Sequence, residues 1–100
     1  MISSISLNTL ASGLGVQSRA VQTAADNIVN VTTEGYQAEQ GQVVSKPLQG
    51  ASYVPLPSEG PVDLGQEVVN LIRAKQTYAA TAHAFSSIAK TEKRGLDVVG

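Results

Sequence analysis

Apolar residues near the start of the chain recur at alternating spacings of three and four. Leu7, Leu10, Leu14, Gln17, Val21, Ala24, Ile28 and Val31 form this series, and every member except Gln17 is apolar. Such spacing places them on one stripe of an α-helix, as in a coiled-coil seam. Ser4 or Ser6 is the expected N-cap. A helix from there to Val31 would be roughly 40 Å long at the α-helical rise. Gly13 and Gly15 weaken its first half by about 1 kcal/mol each relative to alanine.

A second helical pattern opens near residue 63. Pro61 precedes it, Asp63 is suited to cap it, and Gln66 stands three positions on, as in a capping box. The apolar stripe then reads Leu64, Val68, Leu71, Tyr78, Ala82, Phe85 and Ala89, with Lys75 interrupting it. Lys90, Lys93 and Arg94 suit the negative end of a helix dipole, and Gly95 is the expected C′ residue. Between the two helices lie all four prolines. There Gln42-Val43-Val44-Ser45 and Ser52-Tyr53-Val54 flank the turn chemistry of Lys46-Pro47-Leu48-Gln49-Gly50, so this segment is a loop or a small β-hairpin. Pro55-Leu56-Pro57 reads as extended chain.

The predicted fold is therefore mainly α, an antiparallel helical hairpin with coiled-coil-like arms and a short Pro/Gly-rich excursion. It forms a single domain over 1–100, with the N-terminal helix in 1–33, the loop or β-hairpin in 34–62 and the C-terminal helix in 63–100. Each helix offers one narrow stripe of small or medium side chains. With 100 residues and only 4% aromatic content, the hairpin alone is marginal, and a partner or further copies of itself would supply the missing burial.

Composition removes several functions. The net charge is −1, which gives no basis for nucleic-acid binding. No cysteine is present, so disulfides and thiolate metal sites are excluded. No apolar run is long enough to insert in a membrane, and Met1-Ile2-Ser3-Ser4-Ile5-Ser6 lacks the pattern of a cleaved signal peptide.

No catalytic constellation emerges, and no cofactor or metal is expected. His83 is the only histidine and has no second ligand at metal spacing, so it reads as a surface or seam residue. Gly13-Leu14-Gly15 begins like a dinucleotide loop, but Ser18 stands at the third glycine and no strand precedes it. Asn30-Val31-Thr32 is a chance glycosylation sequon. Gln17 either sets the register of the seam or faces water.

Residues 25–36, Ala-Asp-Asn-Ile-Val-Asn-Val-Thr-Thr-Glu-Gly-Tyr, resemble the N-terminal signature of bacterial flagellar rod and hook proteins. Asn27, Ile28, Asn30, Thr33, Gly35 and Tyr36 carry the resemblance. Val29 replaces a usual alanine and Glu34 a common proline. A second stretch, residues 63–78, resembles the family's C-terminal signature through Glu67, Val69, Asn70, Ile72, Ala74 and Tyr78, with Ala82 beyond it. Gln76 and Thr81 depart from it, and Lys90-Thr91-Glu92-Lys93-Arg94-Gly95 breaks the apolar pattern that the family continues to its end.

The resemblance implies a small structural subunit of the rod/hook axial structure in the flagellar basal body, in the periplasm. It implies assembly with itself and with other axial proteins through paired terminal helices, and export by the flagellar type III apparatus with no cleaved signal. The alternative is a helical-hairpin adaptor that binds one partner helix in its groove.

Overall fold

The computed structural model describes residues 4–47 and 50–99, with side chains at all of these except 4–6, 92 and 94–99. It consists of helix α1 (Ser4–Val29), strands β1 (Gln40–Lys46) and β2 (Gly50–Leu56), and helix α2 (Leu64–Val99). The helices pack antiparallel along an elongated body of 61 × 23 × 14 Å. The expected helical hairpin is borne out, and of the two readings of the middle segment the β-hairpin is the one that forms.

The fully buried positions are not those of the expected stripe alone. The residues buried on α1 are Val16, Ala24 and Asn27, and on α2 they are Ala74 and Glu67. Leu7, Leu10, Leu14, Val21 and Ile28 flank this line half-buried. Small side chains occupy the centre because they let the two backbones approach. At Gly13, a Cβ would already stand 3.6 Å from the Thr81 methyl. Gln17 is half-buried on the wall of a groove shared with Thr77, between the two readings given for it.

Several helix ends also differ from expectation. Helix α1 stops at Val29, not at residue 31 or 33, so Val31 lies beyond the helix and is exposed. The run Val29, Val31, Thr32, Thr33 is β-branched and loses side-chain freedom in a helix, and Asn30 diverts a side-chain bond to the helix's last turn. Ser6 lies within α1 and so does not precede it, while Ser4 is the first described residue of the helix and its side chain lies outside the described residues. Helix α2 continues through Gly95 to Val99, so Gly95 does not end it, and the basic residues fall before the last turn. A helix tolerates one interior glycine at about 1 kcal/mol. At the start of α2, Asp63 caps as expected, its Oδ1 accepting from Gln66 N at 3.2 Å. The reciprocal half of the capping box is absent, because the Gln66 amide donates instead to Asn70 Oδ1 at 2.9 Å.

The β-hairpin pairs Gln40 with Leu56 through to Lys46 with Gly50, which brings Pro55, expected in plain extended chain, into β2. It folds back along α1 and packs on α1, not on α2. Ser12 fixes it there. Its Oγ donates to Thr9 O at 2.8 Å and accepts from Ala51 N at 3.0 Å. Gly50 makes this approach possible: its φ is 85°, and a Cβ there would collide with the Ser12 hydroxyl. Further along β2, the Tyr53 ring carries the Arg19 guanidinium 5.6 Å from its centroid, a cation–π contact worth about 0.5–1 kcal/mol at an exposed position.

Candidate functional site: the asparagine corner

The segment from Asp26 to Glu39 turns the chain from α1 into the hairpin, and a cluster of side-chain hydrogen bonds ties it. Asn30 closes the helix. Its amide nitrogen donates to Asp26 O at 2.9 Å, and its Oδ1 accepts from the Thr33 hydroxyl at 3.1 Å. Its own carbonyl accepts from Thr33 N at 2.9 Å, and Thr33 O from Tyr36 N at 3.2 Å. Two successive tight turns result. Gly35 permits the second, with φ at 78°, a conformation that side-chain-bearing residues resist.

Asn27 is fully buried at 0% exposure. Its amide nitrogen donates to Glu39 O at 2.9 Å and its Oδ1 accepts from Glu39 N at 2.7 Å. The side chain thus pairs with a backbone residue as a neighbouring strand would. Tyr36 returns over it, its hydroxyl donating to the same Oδ1 at 3.3 Å. Burial, then the carboxylates of Glu39, Asp26 and Glu67, push the Tyr36 phenol above its ordinary value of 10.0. Beside Glu39, Ala38 is buried and its N donates to Gly60 O at 2.9 Å. That bond ties the chain entering the hairpin to the chain leaving it. The corner therefore sets where the hairpin begins and where α2 starts.

The structure brings Asn27, Asn30, Thr33, Gly35 and Tyr36 into this one corner, while Ile28 points beside it, half-buried. Of the C-terminal set, Glu67 and Ala74 are buried against α1, and Asn70 is half-buried beside Gln66. Val69 and Ile72 are exposed, as are Leu64, Val68 and Tyr78, whereas Leu71, Ala82 and Phe85 are half-buried. Val16, Ala38 and Ser12 carry no mark in the sequence pattern, and Gly50 is marked there only as a turn residue. Val16 falls off the heptad, and the other three act through backbone approach, which leaves no periodic signal.

Among the described residues no group of His, Asp and Glu could hold a metal ion, and no helix is long and apolar enough to cross a membrane. His83 is exposed on α2. What the geometry offers is a rigid joint between a long helix and a hairpin, and long helices with uncovered apolar residues.

Residues 7–37, α1 from Leu7 through the whole corner, match the family model described as flagella basal body rod protein. The family recognised from residues 25–36 is thus the one the match returns. A comparison of the chain with curated proteins gave no match. The match supports a structural role in the flagellar rod, at the basal body and among its axial proteins.

Proposed function

We propose that the chain is a structural subunit of the flagellar rod/hook axial structure that assembles with copies of itself and with other axial proteins through its two helices. One observation carries this reading beyond the family match. Helix α2 leaves Leu64, Val68, Val69 and Ile72 exposed in one stretch, Ile72 at 50%, and Val29 at the end of α1 stands 78% exposed. Among the described residues the fully buried apolar side chains are Val16, Ala24, Ala38 and Ala74, so contact with neighbours would bury further apolar surface.

Packing between subunits then completes the helices' burial, as in other polymers of helical hairpins. The corner keeps the hairpin fixed on α1, so that every copy presents the same outer surface. The subunit works as one unit of helix, hairpin and helix. It is exported by the flagellar type III apparatus to the periplasmic rod, and carries out no catalysis.

Mass spectrometry of purified hook–basal bodies tests the proposal. The expected result is the chain present in every particle at a few to tens of copies. Its absence from intact particles while it accumulates in the cytoplasm would sink the axial role and favour an adaptor that binds a single partner helix.

A further inference from the structure

The hairpin packs on α1 and not on α2, and a groove of about 260 Å³ separates β1 from α2, floored by α1. Bonds to α1 fix the hairpin that forms its wall. Near the hairpin tip Ser12 Oγ accepts from Ala51 N at 3.0 Å, and at the base the Asn27 amide holds both backbone groups of Glu39. The groove is therefore built into the fold. Its volume lies below the range of about 300–1,000 Å³ that houses a drug-sized ligand and suits a single side chain.

Glu67 lines this groove and is only 5% exposed. Among the described residues no hydrogen bond or ion pair meets its carboxylate. Glu39 lines the groove too, with its side chain exposed. Arg73 is the one cation on the wall among the described residues. It stands six residues along α2 from Glu67, a rise of about 9 Å and about 120° round the helix. Arg19 lies over the Tyr53 ring and does not line the groove. The carboxylates of Glu39, Asp26 and Glu67 all raise the nearby Tyr36 phenol, so negative charge dominates this end. A buried carboxylate without a partner is costly, and a cation that hydrogen-bonds to it offsets that cost. No group of His, Asp and Glu among the described residues could hold a metal ion, so the cation that fits is an organic one.

We propose that the groove takes an arginine side chain of a partner protein, its guanidinium set against Glu67. The walls select arginine over lysine. Ala20, Ala24 and Ala74 offer an apolar surface to the methylene stem. Gln17, Thr23 and Thr77 bring further side-chain oxygens around the head. A guanidinium spreads its donors over a plane and is less strongly hydrated than an ammonium, so it satisfies several acceptors at once in a desolvated slot. The source of the arginine rests on the assembly reading above, while the site stands on the groove itself.

Nuclear magnetic resonance titration of the full chain tests it, with acetyl-glycyl-arginyl-glycinamide as the probe. The same peptide with citrulline, which keeps the shape and loses the charge, and with lysine serve as comparisons. The arginine peptide should give saturable shifts in the backbone amides of Glu67, Asn70 and Ala74. The citrulline and lysine peptides should bind more weakly, citrulline by about tenfold, the loss of one charge-assisted contact. Glu67→Gln, checked for helical content by circular dichroism, should weaken binding of the arginine peptide by a similar factor. Glu39→Gln should weaken it less, and Arg73→Gln should tighten it, because a competing positive charge leaves the wall. Those two positions are exposed and carry the test if Glu67→Gln fails to fold, since unchanged binding in both would overturn the site. Unshifted groove amides, or equal binding by the citrulline peptide or by folded Glu67→Gln, overturn it as well. Equal binding by the lysine peptide overturns the choice of arginine. Each of these failures leaves the axial role standing, because the titration reads the free chain. A chain that binds the arginine peptide yet is absent from purified basal bodies keeps the site and loses the axial role.

Discussion

Asn27 of α1 and Glu39 of the hairpin entry form a reciprocal pair, the Asn27 amide bonding both the N–H and the carbonyl of Glu39 at 2.7 and 2.9 Å. The two residues lie twelve positions apart. Their pairing replaces a strand neighbour at a point where the chain has none.

Replacing Asn27 by alanine removes both bonds and leaves two backbone groups of Glu39 without partners. The expected cost is about 2–4 kcal/mol, read as a lower midpoint in urea unfolding followed by circular dichroism. Asn27→Asp should not rescue it, because a carboxylate accepts from Glu39 N but cannot donate to Glu39 O. A stability equal to that of the unaltered chain would show that the pair does not hold the corner.

Gly50 and Ser12 are coupled by contact, since a Cβ at Gly50 would strike the Ser12 hydroxyl. Gly50→Ala should cost about 1–3 kcal/mol from the positive φ and the clash together. Ser12→Ala should cost about 1 kcal/mol through its lost bond to Ala51 N. The double variant should lose less than the sum, because removing the hydroxyl relieves part of the clash. Strict additivity in a double-mutant cycle would argue that hairpin and helix are not in direct contact there.

The Tyr36 phenol has a raised pKa in the folded chain. Below the ordinary phenol value of 10.0 the group is protonated in both folded and unfolded chains and adds no pH dependence. As pH rises past that value the unfolded chain loses the proton first, so stability falls through the interval up to the folded pKa. Tyr36→Phe should remove that part of the alkaline loss. Thermal melts of both chains from neutral to strongly alkaline pH measure it, and parallel curves would be evidence against the shift.

Ala24 and Ile72 separate folding from assembly. Ala24 lies in the helix contact at 2% exposure, and Ala24→Leu should force the helices apart at a cost of about 1–3 kcal/mol. Ile72 faces outward, so Ile72→Asp should change the monomer's stability by no more than about 0.5 kcal/mol yet exclude the chain from basal bodies. Normal incorporation of Ile72→Asp would remove the exposed face of α2 from the assembly contact.

The sequence by itself determined the two helices, the turn region between them and the family of the N-terminal segment. Those features rest on local chemistry: spacing at the helical period, the Asp63 cap, and asparagine, threonine and glycine at fixed offsets. It also marked residues 27, 30, 33, 35 and 36 without saying what they do. Only the tertiary structure decided that Asn27 pairs with Glu39, that Ser12 bonds to Ala51 across Gly50, and that Ala24 and Ala74 occupy the centre of the helix contact, displacing the larger aliphatic residues to its flanks. These are matters of how closely two backbones approach. Such approach depends on atoms distant in sequence, and a glycine, alanine or serine that permits it carries no periodic or hydrophobic signal of its own. Helix α2 ran past Gly95 for a related reason, since a glycine allows a helix to end without requiring it.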